Sequence, residues 1–424
     1  MEAGQPKDEK AVMTIFRALR HRNYRLFFFG QGISLIGTWM QEVAIYWLVY
    51  QLTGSVFLLG VVGFASKLPN FIFAPVAGVM ADRWKRHRLL IITQTFSMLQ
   101  AIILAFLVLA GAAEIWHILI LSVALGFLHS VDMPLRHAFL ADMIEDRTNL
   151  GNAVALNSTL FNVARLVGPS IAGILIATTG EGICFLVNGL SFIPIIAALL
   201  AMKITFKIAQ NGEIDFLKLL KGGFSYVFGF VPIRYIMLLL ALASLMGMPY
   251  STLMPVFAKD VLQGGPYELG FLTAAAGGGA TMGAVYLASR KGVINLGRII
   301  PLAAATFGVG LVAFSLSNVL AFSLMFILIA GFGTMIHTTT SNTILQNITD
   351  DDKRGRVMAF YMMAISGMAT FGNLLAGSLA SEIGAPYTIL IGGASCIVGA
   401  LLFAAKLPAL KKKLIAAHVE EIRL

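Results

Sequence analysis

Long apolar runs, separated by short polar or basic segments, extend along the whole chain. Each run has about 20 residues or more, which is the length that an α-helix needs to cross a hydrocarbon core of about 30 Å. The pattern predicts twelve membrane-spanning helices, at 24–51, 55–79, 89–112, 116–143, 151–178, 183–203, 234–259, 268–289, 298–316, 320–345, 356–381 and 386–406. Because this number is even, both ends of the chain are expected on the same side of the membrane.

The composition supports a membrane protein and indicates its orientation. The 424 residues are 58% hydrophobic and only 12% charged, whereas soluble domains carry roughly twice that fraction of charge. Lys and Arg outnumber Asp and Glu by 31 to 21, and nearly all of the basic residues cluster at the end of the spans that holds the termini. That asymmetry is typical of orientation by positive charge, with both termini in the cytoplasm, and not of nucleic-acid binding.

The chain divides into two similar halves. A polar interval at 204–233, with Phe, Leu and Lys at helical spacing, is expected to form a linker with a helix in the membrane interface. We therefore predict a cytoplasmic segment at 1–23, a six-helix bundle at 24–203, a second bundle at 234–406 and a cytoplasmic tail at 407–424. A shift of 204 residues places Gly168 on Gly372 and Gly173 on Gly377. Two six-helix repeats with a site between them are typical of secondary transporters.

Four fully charged residues lie at depth within the predicted spans: Glu42, Lys67, Asp132 and Arg165. A charge at a helix centre costs at least about 2.5–3.5 kcal/mol when it is exposed to lipid. Depth along the spans suggests two pairs, Glu42 with Lys67 and Asp132 with Arg165, because the members of each differ in level by only about 4–5 Å. Arg136 competes for Asp132 at a separation of four residues. The pairs serve either proton coupling or static structure.

Two motifs stand out at the ends and bends of the spans. The loop "GVMADRWKRHR" at 78–88 combines Gly78, Asp82, Arg83 and Arg86, and it is either a gate element or a basic loop that only sets orientation. In the fifth span, Gly168, Pro169 and Gly173 predict a bent helix that packs closely on a neighbour. Simple packing is the alternative there.

These motifs resemble those of the major facilitator superfamily, in which the loop is a cytoplasmic gate and the Gly-Pro motif is associated with proton antiporters. The stretches "GTWMQEVAIYWLVYQLTGS" (37–55), "DMPLRHAFLADMI" (132–144), "NAVALNSTLFNVARLVGPSIAG" (152–173), "GMPYSTLMPVFAKDVL" (247–262) and "RGRVMAFYMMAISGMATFGNLLAGSLASEIGAP" (354–386) look like the bacterial branch with enterobactin and macrolide exporters. The resemblance implies an all-α fold of two pseudo-symmetric six-helix bundles in the bacterial inner membrane.

In that fold, spans 1, 4, 7 and 10 line the cavity, which would place Glu42 and Asp132 on its wall. Other residues on these or neighbouring spans are candidates for contact with a substrate or proton: Trp39, His129, Tyr250, His337, Asn342 and Tyr361. A membrane histidine is also an ordinary hydrogen-bonding residue between helices, and the aromatic residues are also ordinary packing residues.

No nucleotide-binding sequence, metal-ligand spacing or nucleophile signature occurs in the sequence, so we expect no enzyme activity, cofactor or metal. The resemblance implies export of an amphiphilic small molecule in exchange for protons, by rocker-switch alternating access, with protons and lipids as the other partners and a monomeric chain. The alternatives are a facilitator or importer without proton coupling, and a sensor that does not transport.

Overall fold

A computed structural model describes residues 16–83, 85–144, 146–202, 224–290, 296–351 and 353–416. Within these ranges, the side chains of 74–83, 147, 296 and 411–416 lie outside the description. The predicted helix in the linker falls largely on 203–223, which are outside the described residues. Residues 224–229, at the end of that linker, are helical.

The described chain consists of long helices, and consecutive helices run in alternating directions. We number them by span: α1 Arg22–Thr53, α2 Val56–Arg83, α3 Arg86–Leu109, α4 Ile115–Asp142, α5 Leu150–Thr179, α6 Glu181–Ala201, α7 Val231–Val261, α8 Pro266–Ser289, α9 Leu296–Ser315, α10 Leu320–Ile348, α11 Arg354–Ile383 and α12 Ala385–Ala416. Eleven of them are long and apolar enough to cross a membrane. The more polar α1, with 32 residues, packs among them as the twelfth. The prediction of twelve spans is confirmed, although α12 continues as a helix beyond the predicted end at 406.

The two halves repeat the same local geometry. Helices α5 and α11 both end at a glycine in the left-handed region, Gly180 with φ 87° and Gly384 with φ 85°. These positions are 204 residues apart, as predicted for repeats. A side chain other than glycine is strained at such angles, so glycine suits the turn that leads into α6 and α12.

The glycines of the predicted repeat also occupy equivalent places between helices. A Cβ atom built on Gly168 of α5 would lie 2.7 Å from the Cβ of Trp39 on α1, and one built on Gly372 of α11 would lie 2.7 Å from Pro249 Cγ on α7. Gly168 and Pro169 are both buried within a continuous α5. Small residues are thus what allow the fifth helix of each repeat to pack on the first.

One turn further on, the same two helices contact the opposite half. Gly173 of α5 faces Gly270 of α8, and Gly377 of α11 faces Gly60 of α2. A Cβ atom on Gly173 would lie 3.0 Å from the Gly270 Cα, and one on Gly377 would lie 2.7 Å from the Gly60 Cα. The two bundles therefore meet backbone against backbone along two crossings, which we call the glycine crossings (α5 with α8, and α2 with α11).

The core is continuous between the halves at one end only. We call the end that holds Arg22 and residue 406 the terminal end, and the opposite end the far end. The largest apolar cluster includes Met40 and Val43–Tyr50 of α1 together with Met254 and Phe257 of α7, and it joins both halves toward the far end. At the terminal end, each half has an apolar cluster of its own. From this packing we infer that the far end is closed and that a cleft between the bundles opens at the terminal end.

We expect Gly173→Ala to destabilise the chain, because its methyl group would lie 2.7 Å from the Pro266 carbonyl oxygen across the α5–α8 crossing. Overpacking of this kind costs about 1–3 kcal/mol. Gly151→Ala, on the same helix with nothing within 4 Å of the added atom, is the matched control. Thermal unfolding in detergent should show a lower Tm for the first variant only. Equal Tm values for the two variants would contradict the close crossing.

Candidate functional site

An ion pair between α1 and α2 lies inside the first bundle. The Lys67 Nζ is 3.4 Å from the Glu42 Oε1, and the two side chains are 43% and 38% exposed. Lys67 is within electrostatic range of Arg165 on α5, and the pair is within range of His129 on α4. The pair therefore faces the cleft and not lipid, and the predicted pairing of Glu42 with Lys67 is confirmed.

The residue next to Glu42 fixes the rotation of α1. The Gln41 side chain is buried, donates to Gln100 Oε1 on α3 at 2.9 Å and accepts from Asn188 Nδ2 on α6 at 2.6 Å. Adjacent residues of a helix point in directions about 100° apart. Anchoring Gln41 between α3 and α6 thus directs Glu42 toward the cleft.

A polar chain continues from the ion pair into the second bundle. Tyr46, one turn beyond Glu42, is buried and interacts with the side chains of Ser66 and Thr252. Thr252 of α7 donates a hydrogen bond of 3.0 Å to the Asn373 Oδ1 on α11. Tyr46 therefore lies between the ion pair of the first bundle and a hydrogen-bonded threonine of the second.

Asp132 is not paired with Arg165, and that prediction is wrong. Its carboxylate is 2% exposed and forms an ion pair with Arg136, the competing partner four residues along α4. Thr93 and Gln94 of α3 also donate to its Oδ1, at 2.8 and 2.7 Å. These donors join α4 to α3 through the buried carboxylate, and the part of Asp132 in proton coupling stays a prediction.

Arg165 lies on the cleft side of α5, half-buried beneath the closed far end. Its guanidinium carbon is 5.7 Å from the centre of the Trp39 ring, and it is within electrostatic range of Tyr250 on α7. Its backbone oxygen would lie 2.8 Å from a Cβ atom on Gly277, so α5 and α8 touch at this level. Arg165 makes no ion pair with a carboxylate among the residues that the structure describes.

The two candidate histidines differ in location. His129 is half-buried and lies within electrostatic range of both the Glu42–Lys67 and Asp132–Arg136 pairs. His337 is 1% exposed, and its ring lies beside the Ile300 backbone of α9. The prediction that His337 lines the cavity is therefore wrong, because this position of α10 points into its own bundle.

Three further candidates form contacts within the second bundle. The Tyr361 hydroxyl donates to the Thr338 carbonyl oxygen at 3.1 Å and interacts with Asn342, which joins α11 to α10. Tyr361 is buried, and Asn342 accepts a hydrogen bond from Gln346. Tyr250 is also buried and packs on Phe307. Among Tyr361, Asn342 and Tyr250, only Tyr250 lies near a charged side chain of the cleft, that of Arg165.

The predicted gate loop is described in part. Arg86, at the start of α3, forms a 3.2 Å ion pair with Asp142 at the end of α4. That pair joins two helices of the same bundle at the terminal end. The side chains of Gly78, Asp82 and Arg83 lie outside the described part of the chain, so their role as a gate stays a prediction.

The far end is closed by a polar contact between the halves. The Tyr50 hydroxyl on α1 donates a hydrogen bond to the Asp260 carboxylate on α7. The Lys259 Nζ lies 5.5 Å from the centre of the Tyr50 ring. We call Tyr50, Lys259 and Asp260 the far-end latch, because an opening of the cleft at that end must separate them.

Twelve helices in two repeats, with a polar cleft between them, define a membrane transporter of the major facilitator type. Residues 13–422 match the model of the family described as "Transmembrane secretion effector". The chain belongs to that family, whose members are transporters and not enzymes.

Relatives of known function are transporters of small molecules. The chain is 28% identical to the staphyloferrin A transporter of Staphylococcus aureus, over 89% of this chain and 95% of that protein. It is 26% identical to the multidrug efflux pump Tap of Mycolicibacterium fortuitum, over 85% of this chain and 88% of that protein. Macrolide efflux protein A of Streptococcus pyogenes is 20% identical, over 90% and 96%.

Solved structures share the fold. A bacterial homologue of the iron transporter ferroportin, in an inward-facing state, superimposes with a TM-score of 0.68 at 17% identity, covering 91% of this chain and 98% of that one. A bacterial homologue of the lysosomal transporter Spinster, inward-facing and unoccupied, gives 0.65 at 14% identity, covering 94% and 97%.

Sequence reasoning missed the residues that connect the halves. Tyr50, Thr252, Asn373 and Asp260 are uncharged or lie near span ends, so a search for deep charges passes over them. Asp260 has one usable signal, since it stands beside Lys259 at the end of a span with very few charges around it.

We expect Asp132→Asn to lower stability, because Arg136 would lose its anionic partner in a largely buried setting. Removing one partner of a fully buried ion pair costs about 3–5 kcal/mol of unfolding free energy. We expect a smaller loss here, because the Arg136 side chain is 22% exposed. Asp351→Asn, which breaks the exposed pair with Arg354, is the control. A large drop in Tm for the first variant alone, with unchanged pH dependence of transport, supports a structural Asp132. A stable Asp132→Asn variant with altered pH dependence would contradict it.

Proposed function

We propose that this protein exports an amphiphilic small molecule from the cytoplasm in exchange for protons, by rocker-switch alternating access. The observation that carries the proposal is the Glu42–Lys67 pair, exposed in a cleft that opens at one end only. The efflux functions of two relatives support the direction of transport. The substrate and proton pathways would then share the cleft of the first bundle.

The pair suits proton exchange because its two partners belong to different helices. Protonation of Glu42 removes the carboxylate charge that balances Lys67, and this leaves Lys67 and Arg165 as neighbouring cations. Tyr46 lies within electrostatic range of the same pair and interacts with Thr252 of the second bundle, which donates to Asn373. A proton on Glu42 therefore changes the polar contacts that hold the halves together.

The glycine crossings support a rocking motion of the bundles. They allow the halves to stay in contact near mid-depth while the ends separate in turn, since no side chains interlock at Gly173 with Gly270 or at Gly377 with Gly60. In the present state the far-end latch is closed. We place the terminal end in the cytoplasm, in line with the positive charge at that end, and the chain acts as a monomer.

We expect Glu42→Gln to abolish the acceleration of transport by a pH gradient, because glutamine cannot exchange a proton. Proteoliposomes would be loaded with staphyloferrin A or the macrolide erythromycin, and flux would be measured with and without the gradient. Exchange of the compound at equal concentrations should persist in the variant. Glu382→Gln, at the exposed end of α11, is the control and should behave like the wild type.

Other outcomes identify the alternatives. Equal wild-type flux with and without the gradient would indicate an uncoupled facilitator. Accumulation in the opposite direction would indicate an importer. Binding of either compound without any flux would indicate a sensor, and each of these results contradicts the proposal.

We expect Tyr50→Phe to shift the chain toward a state open at the far end, because it removes the hydrogen bond to Asp260. A hydrogen bond to a charged group contributes about 1.5–3 kcal/mol, a tenfold or greater change in population. Spin labels on cysteines at Ala112 and Asn318, exposed far-end positions of the two bundles, would report the separation; the native Cys184 and Cys396 are buried.

The exposed Tyr387 provides the control, since Tyr387→Phe removes the same atom outside the latch. The distance distribution should lengthen for Tyr50→Phe alone. Identical distributions for both variants and the wild type would show that the latch does not hold the far end closed.

A further inference from the structure

The charges of the cleft do not balance among the described side chains. Glu42 is paired with Lys67, and Asp132 is paired with Arg136. Arg165 is left without a carboxylate partner in the part of the chain that is described, although it lies at mid-depth. It is also close enough to Lys67 for the two cations to repel one another. The site therefore carries net positive charge.

The neighbours of Arg165 compensate its charge only in part. Its contact with Trp39 is a cation–π interaction, worth about 0.5–2 kcal/mol depending on desolvation. A carboxylate is a stronger partner, because a guanidinium donates two parallel charge-assisted hydrogen bonds to it. A cationic cleft with low-dielectric walls also concentrates anions.

The same surroundings provide an apolar surface next to the charge. Trp39 is half-buried and meets Phe161 edge to face, with ring centres 5.6 Å apart. Tyr250 lies within electrostatic range of Arg165 from the second bundle. A molecule held here would thus contact an aromatic wall of the first bundle and reach toward the second, at the level where α5 and α8 touch.

We propose that the cleft binds amphiphilic acids, with a carboxylate on the Arg165 guanidinium and an apolar ring or chain against Trp39 and Phe161. This inference rests on the proposed transport function, and it restricts the substrate class from amphiphiles in general to those that carry an acidic group. When the acid is bound, it supplies the anionic partner that Arg165 lacks among the described side chains.

The test compares two probes that differ only in charge, dansyl-phenylalanine and its neutral amide, dansyl-phenylalaninamide. Binding to the purified full-length protein in detergent would be measured by fluorescence titration. We expect the wild type to bind the acid about tenfold or more tightly than the amide. Arg165→Gln should weaken binding of the acid only, so that both probes bind with equal affinity, whereas Arg165→Lys should keep part of the preference for the acid. Arg354→Gln, an exposed arginine at the terminal end, is the control and should keep all of it.

Three results would overturn the inference: equal affinity of the wild type for both probes, binding of neither probe, or equal weakening of both probes by Arg165→Gln. The last would mean that Arg165 only supports the fold. Because binding is measured without a pH gradient, a preference for the acid can be present while Glu42→Gln leaves transport unaltered. In that case the proposal of proton antiport would be wrong, while the proposal of an acid-binding site would still be supported.

Discussion

The two glycine crossings are the constraint on which the rest of the structure depends. At Gly173 with Gly270 and at Gly60 with Gly377, the bundles approach until their backbones touch. Interfaces with larger side chains would separate the helices and fill the space between them. Among the described residues, close contact between the bundles runs along these two lines and across the closed far end, so we infer a cleft between the bundles that polar groups at mid-depth face instead of lipid.

The chemistry within the cleft is unequally divided between the halves. The first bundle carries Glu42, Lys67 and Arg165, while the second contributes neutral groups such as Thr252, Asn373 and Tyr250. The repeats share helix geometry but not charge. We infer that the first bundle changes its protonation and binds the substrate, and that the second responds through hydroxyl and amide contacts and through the latch at Asp260.

Hydropathy and spacing predicted the helices, the repeat and one of the two ion pairs. Depth along a span can be counted from sequence, so the Glu42–Lys67 pair was predictable. Rotation about the helix axis cannot be counted in the same way, because it depends on which neighbours each face packs against. For that reason the Asp132–Arg165 pairing and the placement of His337 in the cavity were wrong. Asp132 turns toward Thr93 and Gln94, and His337 turns toward α9.

The central claim is that the protonation state of Glu42 changes when the cleft closes at one end and opens at the other. Its most direct test follows the infrared band of the protonated Glu42 carboxyl over a range of pH. The band is assigned by its loss in Glu42→Gln, and it is measured in a chain that carries Tyr50→Cys and Asp260→Cys. These cysteines replace partners that touch across the far end, so oxidation would lock that end closed and reduction would release it. The account predicts different titrations of the band in the oxidised and reduced forms. Superimposable titrations of the two forms would contradict it.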